Sequence, residues 1–286
     1  MLKHLFDIAQ KSLCEIYPDG EASQIAFLLL EGMCGASKTD VLLGKTPEKI
    51  VSENDFNAAL ARLKNQEPIQ YVLGYAYFCG HKFKVNSSTL IPRPETEELV
   101  DLVLSENFHK NPVNVLDIGT GSGCIPISLQ LQRNLWKCTG ADISKEALQI
   151  ALQNSVDLGS TVDFIQMDIL HSASNRSENE KKYDIIISNP PYVLNSDKNE
   201  MQSNVLDYEP HSALFVPDES PLIFYASILE FSHWHLKPGG KVYFEIHHKM
   251  GEPMVDLMKK NNFTDAETRL DFNNKVRFAK GTYLPK

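Results

Sequence analysis

The chain has 286 residues, of which 42% are hydrophobic and 23% charged, and its formal net charge is −9 at pH 7. This composition is that of a folded globular protein and excludes collagen-like, fibrous and disordered classes. The acidic balance also argues against a protein that grips a nucleic-acid duplex, because phosphate groups attract basic surfaces.

Cysteine usage and apolar runs point to the compartment. The longest apolar runs, such as residues 25–30, fall far short of the roughly 20 residues that a membrane-spanning helix requires. The N-terminal residues lack the apolar core and cleavage site of a secretory signal. Five cysteines are an odd number and include no Cys-x-x-Cys pair, which argues against a disulfide framework and a zinc site. We therefore expect a cytoplasmic protein without a bound metal and without membrane contact.

The N-terminal quarter of the chain, residues 1–73, has helical spacing. Apolar side chains recur there every three or four residues, as in Leu5, Ile8, Ala9 and Leu13. This pattern predicts a small helical bundle. In residues 74–90 the period changes to strict alternation around Gly80 and His81, which predicts a β-hairpin linker.

Residues 91–286 alternate between strand and helix patterns. Strands are predicted at residues 113–118, 137–141, 161–166, 183–188 and 241–246, and helices at residues 96–104, 124–132, 145–158 and 221–236. A Pro-Gly-Gly sequence at residues 238–240 is predicted to end the last helix, and the polar residues 171–182 are predicted to form a surface loop. Such alternation predicts an α/β domain with a doubly wound parallel sheet, whose ligand lies at the carboxyl ends of the strands.

A glycine motif joins the first of these strands to a helix, with the sequence Asp117-Ile118-Gly119-Thr120-Gly121-Ser122-Gly123. Glycines there allow the backbone to approach a ligand closely. Asp142 ends the next strand, where its carboxylate can accept hydrogen bonds from a ribose diol. The spacing Gly-x-Gly-x-Gly is not the dinucleotide fingerprint, so it favours S-adenosylmethionine. A dinucleotide or a plain tight turn remains an alternative.

A second motif, Ser188-Asn189-Pro190-Pro191-Tyr192, follows the fourth strand. Two adjacent prolines remove two backbone donors, and Asn189 adds a side-chain oxygen, so the turn is rich in acceptors. Asn189 and the Pro190 carbonyl can hold the two N–H groups of a planar NH₂ group, with Tyr192 covering its face. Catalysis of methyl transfer to that nitrogen then needs orientation more than a strong base. The alternative reading is a structural proline turn.

The order of five motifs resembles one protein family. These are Gln-Glu-Pro-Ile-Gln-Tyr-Val-Leu-Gly (residues 66–74), Leu-Ile-Pro-Arg-Pro-Glu-Thr-Glu-Glu-Leu-Val (90–100), the glycine motif, Ser-Asn-Pro-Pro-Tyr (188–192) and Glu-Pro-His-Ser-Ala-Leu (209–214). Together they resemble the bacterial peptide chain release factor N5-glutamine methyltransferases, the PrmC or HemK family. The resemblance runs from about Gln66 to Ile246, and the helical N-terminal segment agrees in length and character.

The resemblance implies a class I S-adenosylmethionine-dependent methyltransferase with a mainly parallel seven-stranded sheet. It implies three parts: a helical substrate-recognition domain at residues 1–73, a β-hairpin linker at 74–90 and a methyltransferase domain at 91–286. The implied substrate is the glutamine of the Gly-Gly-Gln motif in release factors, and the implied product of the cofactor is S-adenosyl-L-homocysteine. A monomer that contacts no nucleic acid is expected.

The resemblance also implies residue roles. Cofactor binding is implied for Gly119, Thr120, Gly121, Ser122, Gly123, Asp142, Asp168, Ile169 and Asn189. Substrate binding is implied for Asn189, Pro190, Pro191 and Tyr192, of which Asn189, Pro190 and Tyr192 carry the catalytic role. The chain departs from the family pattern at His247 and Met250, where the family usually has Gly and Gln.

Three other functions remain open. A ribosomal-protein glutamine methyltransferase would use the same site, and an adenine-N6 nucleic-acid methyltransferase would present the same two acceptors to a flipped base. A module that binds cofactor and partner without catalysis is the third. The histidines at residues 233, 235, 247 and 248 lack a zinc-ligand pattern and are read as ordinary surface or strand-end residues.

Overall fold

The computed structural model describes residues 1–108, 112–172 and 182–285. They form two compact units. The helical unit comprises Met1–Tyr75 and Met201–Tyr208, and the sheet unit comprises Ala76–Glu200 and Glu209–Lys286. No helix of the described residues is both long enough and apolar enough to span a bilayer.

The helical unit confirms the predicted bundle. Its helices are α1 (Leu2–Leu13), α2 (Asp19–Cys34), α3 (Lys38–Leu42), α4 (Glu53–Lys64), α5 (Ile69–Leu73) and α10 (Ser203–Leu206). Ser37 and Ser52 cap α3 and α4 by accepting a hydrogen bond from the backbone N–H three residues on. Gly35 ends α2 in the left-handed conformation. The apolar faces meet in one core that includes Leu13, Leu29, Leu30 and Leu63.

A segment distant in sequence completes the helical unit. Met201–Tyr208 includes α10 and belongs to this unit although it follows residue 200. The Tyr208 hydroxyl donates to the carbonyl oxygen of Asn65 at 2.7 Å, and the Ser203 hydroxyl donates to Gln66. The helical unit is therefore built from two stretches of the chain.

The predicted hairpin is also confirmed. It consists of β1 (Tyr75–Phe78) and β2 (His81–Lys84). Cys79 and Gly80 connect the strands with φ angles of 48° and 77°. Two successive positive φ angles match the right-handed twist of a hairpin, so the turn lies one residue earlier than predicted.

The sheet unit contains a seven-stranded sheet in the order β10-β11-β9-β6-β3-β4-β5. Its strands are β3 (Asn114–Ile118), β4 (Lys137–Asp142), β5 (Asp163–Gln166), β6 (Tyr183–Ser188), β9 (Leu236–Glu245), β10 (Phe263–Leu270) and β11 (Val276–Tyr283). The five strands from β9 to β5 in this order are parallel, and β11 and β10 add antiparallel pairs at one edge. The mainly parallel, doubly wound class I methyltransferase fold is thus confirmed.

Helices cover both faces of the sheet. They are α6 (Pro94–Glu106), α7 (Cys124–Gln132), α8 (Lys145–Leu158), α9 (Ile169–Ser172), α11 (Ile223–His235) and α12 (Gly251–Lys260). A short parallel pair, β7 (Val193–Leu194) with β8 (Phe215–Val216), follows the second motif. Neighbouring strand residues point to opposite faces, so Leu116 and Ile186 pack in one core and Val115 and Ile185 in the other.

Several boundaries differ from the sequence reading. Pro-Gly-Gly at residues 238–240 lies inside β9, because the pairing with β6 jumps from Leu236 to Lys241 and leaves an irregularity that tolerates proline. The helix before it ends at His235. Of the predicted polar loop 171–182, the first two residues end α9, and residues 173–181 lie outside the described residues.

Candidate functional site

The two motifs follow neighbouring strands. β3 and β6 pair in parallel, with Ile118 opposite Ser188, so the turns after them lie side by side. The Ser188 hydroxyl donates to the Ile118 carbonyl oxygen at 2.6 Å. The chain leaves β3 toward β4 on one side and returns to β6 on the other, which makes this edge the topological switch point of the sheet.

A cavity of about 480 Å³ opens at this switch point. The predicted site residues that line it are Gly119, Gly121, Asp142, Asp168, Ile169, Asn189, Pro190 and Pro191. Thr120, Ser122, Gly123 and Tyr192, also predicted, are not among the described residues that line it. Thr120 and Ser122 are buried, and Tyr192 packs against the hydrophobic core. One cavity therefore brings both motifs together.

The glycine turn holds its shape through backbone bonds. The N–H groups of Gly119 and Thr120 both donate to the carbonyl oxygen of Ala141, at 2.8 and 2.9 Å. Gly119 has a φ of 76° and lies where an added Cβ would come 4.0 Å from the Asn189 carbonyl oxygen. A side chain at Gly119 would be strained and would project toward the second motif.

Asp142 connects the turns after β3 and β4. Its Oδ2 accepts from the Gly121 N–H at 2.8 Å and its Oδ1 from the Ser144 N–H at 2.9 Å. Burial raises the pKa of Asp142, and the hydrogen bonds from Ser144 and Gly121 oppose that rise. Each carboxylate oxygen has further lone pairs, so Asp142 can hold the turn and still accept from a ligand.

Asp117 is the fully buried acid of the glycine motif, and the sequence reading gave it no role. Burial raises the pKa of Asp117 to about 7, and the nearby carboxylate of Asp142 adds to the rise. The position of Asp117 in the motif was visible in sequence. Its complete burial was not, because burial depends on the packing of the finished sheet.

Asp168 immediately precedes the short helix α9, Ile169 is the first residue of that helix, and both line the cavity. The Asp168 carboxylate accepts from the Leu170 N–H at 3.0 Å and lies 2.6 Å from the Nδ1 of His171. Ile169 is buried and presents an apolar surface. This end of the cavity can cover a flat, apolar ring that carries polar groups at its edge.

Two acceptors of the second motif receive no hydrogen bond from the described part of the chain. The Asn189 Nδ2 donates to the Thr96 Oγ1 at 3.2 Å. Among the described residues, none donates to the Asn189 Oδ1 or to the carbonyl oxygen of Pro190. These two oxygens are the acceptors that the sequence reading assigned to the substrate.

A buried carboxylate behind the motif was missed by sequence reasoning. Glu245, at the end of β9, is 1% exposed. Its Oε2 accepts from the Thr96 hydroxyl at 2.7 Å, and its Oε1 accepts from the Tyr192 hydroxyl at 3.0 Å. Burial raises the pKa of Glu245 and of Tyr192, so the phenol remains a donor. The residues Thr96, Asn189, Tyr192 and Glu245, here called the amide network, come from three separate parts of the chain.

The departures from the family pattern lie next to the amide network. The His247 ring centroid is 6.3 Å from that of Tyr192, and its Nδ1 accepts from the Lys249 N–H at 3.3 Å. Burial lowers the pKa of His247, and the neighbouring His248 lowers it further. Met250 precedes α12. Among residues 1–108, 112–172 and 182–285, no group of three or more His, Cys, Asp or Glu side chains is arranged to hold a metal ion.

Comparison with known families matches both units. A model described as the PrmC N-terminal domain matches residues 4–74, and one described as the methyltransferase small domain matches residues 99–207. Among solved structures, a methyltransferase from Pyrococcus furiosus superposes with a TM-score of 0.52 at 18% identity, over 80% of this chain and all of that one. That likeness supports the fold alone.

Curated relatives cover nearly the whole chain. A protein of Bacteroides thetaiotaomicron is 44% identical over 94% of this chain and 95% of its own, and one of Flavobacterium psychrophilum is 39% identical over the same shares. A Bacillus subtilis protein is 33% identical over 96% of each chain. All three carry the name release factor glutamine methyltransferase.

Proposed function

Because this chain belongs to the family of release factor glutamine methyltransferases, we propose that it methylates the side-chain amide nitrogen, N5, of a glutamine in a peptide chain release factor. The methyl donor is S-adenosylmethionine, and its product is S-adenosyl-L-homocysteine. The glutamine of the Gly-Gly-Gln motif is the proposed acceptor. The observation that carries the proposal is the single cavity in which Asn189 and the glycine turn meet.

The residues at the switch point fit this donor. Gly119 and Gly121 leave room for a close approach of the backbone, and Asp142 offers oxygens to ribose hydroxyls. Asp168 and Ile169 line the same cavity, which supports the proposal that they cover the adenine. When bound, the cofactor supplies a methyl group on a positively charged sulfur. We propose supporting roles for Thr120, Ser122 and Gly123, which shape the turn from behind the cavity wall.

The second motif is proposed to hold the substrate amide. The free Oδ1 of Asn189 and the carbonyl oxygen of Pro190 would accept its two N–H groups, while Pro191 and Tyr192 shape the surface around it. Acceptors on both hydrogens stabilise the positive charge that develops on nitrogen as it is methylated. They also aim its lone pair at the methyl group. The methylated nitrogen is a strong acid and loses its proton to water.

The helical unit is proposed to recognise the protein substrate. It corresponds to the predicted domain of residues 1–73, followed by the linker of residues 74–90 and the catalytic domain of residues 91–286. Those boundaries remain a prediction, as do a monomeric state and a location in the cytoplasm, where translation takes place. The acidic net charge of −9 favours a protein substrate over a nucleic acid.

One experiment separates the candidate substrates. The purified chain is incubated with methyl-labelled S-adenosylmethionine and, in separate reactions, a bacterial release factor, a ribosomal protein fraction and duplex DNA. Mass spectrometry then locates the label. We expect N5-methylglutamine in the Gly-Gly-Gln loop of the release factor, and a variant release factor with Ala in place of that glutamine is the control. Label confined to ribosomal protein or to adenine would overturn the proposal.

A further inference from the structure

The side-chain amide of asparagine has two nearly identical ends that do opposite things. Its oxygen accepts hydrogen bonds and its nitrogen donates them. A rotation of 180° about the last side-chain bond would exchange the two ends of Asn189. The donor would then meet the N–H groups of the substrate, and the site would repel the amide that it has to hold.

The structure contains a chain of hydrogen bonds that selects one orientation. The Glu245 carboxylate is buried, and both of its oxygens act as acceptors, one from Tyr192 and one from Thr96. The Thr96 hydroxyl has one proton, which it donates to Glu245 at 2.7 Å. Its oxygen can therefore only accept from the next group in the chain.

That next group is Asn189. Its Nδ2 donates to the Thr96 Oγ1 at 3.2 Å. The flipped amide would place two oxygens against each other, neither with a proton to share. Because Thr96 is 3% exposed, water has little access to relieve that repulsion. We propose that Thr96 and Glu245 are positioning residues, which fix the Asn189 amide so that its oxygen faces the substrate glutamine.

The inference rests on the proposed function, since it assigns the orientation of the group that holds the glutamine. It also accounts for Thr96 and Glu245 being buried polar residues on different elements, α6 and β9, 149 residues apart. If the Thr96–Glu245 hydrogen bond served only to hold α6 against β9, the orientation of the Asn189 amide would not affect it. A positioning role and a purely structural role for Thr96 therefore predict different effects on kcat when the Thr96 hydroxyl is removed.

The test compares four variants with the wild-type chain on a bacterial release factor. Thr96→Val keeps the shape and removes the hydroxyl, and Thr96→Ser keeps the hydroxyl and removes a methyl group. Thr139→Val is the matched control, because Thr139 is also 3% exposed but lies on β4 outside the amide network. Thr96→Ala, compared with Thr96→Ser, isolates the hydroxyl if the valine variant folds poorly.

We expect Thr96→Val to lower kcat about 10- to 100-fold, in the range of other losses of oriented catalytic groups. The Kd for S-adenosylmethionine should change less than about threefold, since only the substrate side of the site is altered. Thr96→Ser should restore kcat to within a few-fold of wild type, and Thr139→Val should leave it unchanged.

Three results would overturn the inference while the wild-type chain methylates the release factor. In the first, the kcat of Thr96→Val and of Thr96→Ala equals that of the wild type. In the second, the kcat of Thr96→Ser is as low as that of Thr96→Val or Thr96→Ala. In the third, Thr139→Val lowers kcat as much as Thr96→Val does. A wild-type chain that does not methylate the release factor would instead defeat the proposed function, so the two failures are distinguishable.

Discussion

Arg93 and Glu209 lie 116 residues apart in the chain and form an ion pair whose carboxylate is 1% exposed. The second oxygen of Glu209 accepts from the backbone N–H of Ile91 at 3.2 Å. Two of the motifs that resemble the family pattern, at residues 90–100 and 209–214, therefore meet through one buried carboxylate. Neither Arg93 nor Glu209 lines the cavity among the described residues, so this pair supports the loops around the site.

Removal of the guanidinium should destabilise the chain. We expect Arg93→Ala to lower the free energy of unfolding by about 2 to 3 kcal/mol, because a buried carboxylate loses its charged partner. Lys84→Ala is the control, since the Lys84–Asp157 pair is exposed at both ends and should contribute much less to stability. Urea unfolding measures both. Equal changes in the two variants would contradict the role given to Glu209.

The crowding of Gly123 predicts a second stability effect. Gly123 and Gly159 have similar φ angles of 78° and 67°. An added Cβ at Gly123 would lie 3.0 Å from Ile127 and 3.1 Å from Ala151, whereas none of the atoms around Gly159 is within 4 Å. Gly159→Ala should cost about 1 kcal/mol from backbone strain alone. Gly123→Ala should cost about 1 to 3 kcal/mol more from overpacking, and similar unfolding midpoints would refute this.

The second motif predicts a loss of turnover without a loss of cofactor. Asn189→Ala and Tyr192→Ala should each lower kcat by about 100-fold or more, because their contacts matter most during transfer. Tyr192→Phe retains the ring and loses only the bond to Glu245, so its kcat should fall about tenfold or less. Calorimetric titration with S-adenosylmethionine supplies the Kd. A parallel weakening of cofactor binding in the alanine variants would count against the assignment.

Asp117 predicts a pH dependence of stability in the cofactor-free protein. Its pKa in the folded chain is about 7, above the ordinary value of 3.8. The fold thus favours the protonated acid, and this contribution is complete below the ordinary value and is lost as pH rises through about 7. By this linkage Asp117 should lower the free energy of unfolding by up to about 4 kcal/mol between pH 4 and pH 8.

Asp117→Asn tests that linkage, because asparagine does not titrate. Urea unfolding at about pH 5 and about pH 8 should show a decline in the wild type that is smaller in the variant. Asp142 lies near residue 117 in both proteins, so its own titration contributes to both declines. Parallel declines in the two proteins would show that Asp117 ionises freely.

The parts of the molecule that sequence predicted well are those with local signals. The helices Cys124–Gln132 and Lys145–Leu158 and the strand Tyr183–Ser188 have the predicted bounds. Residues that interrupt regular structure mark those bounds: Gly123 precedes the first helix, Gly159 follows the second, and Asn-Pro-Pro at residues 189–191 follows the strand. The strands β10 and β11 were not identified from their own residues. β10 has one buried residue among its eight, so it offers little alternation to recognise.

For a similar reason, only part of the candidate site could be predicted from the sequence. Asn189 and Gly119 stand in contiguous motifs and could be predicted as site residues, whereas the hydrogen bond between Thr96 and Glu245 joins residues 149 positions apart. No spacing rule connects a threonine on α6 to a glutamate at the end of β9. Their relation depends on how the helix packs against the finished sheet, and only the folded chain displays it.

The helical unit is built from two separate stretches of the chain, so replacing one continuous segment cannot exchange the whole unit. A cut between residues 75 and 76 would sever only one of three covalent connections, since Met201–Tyr208 is joined to the sheet unit at both of its ends. In a chimera that replaces only the N-terminal residues, the Tyr208 hydroxyl would have to form its hydrogen bond with whatever residue takes the place of Asn65. Chimeras designed to change the protein substrate therefore need both stretches from the same donor.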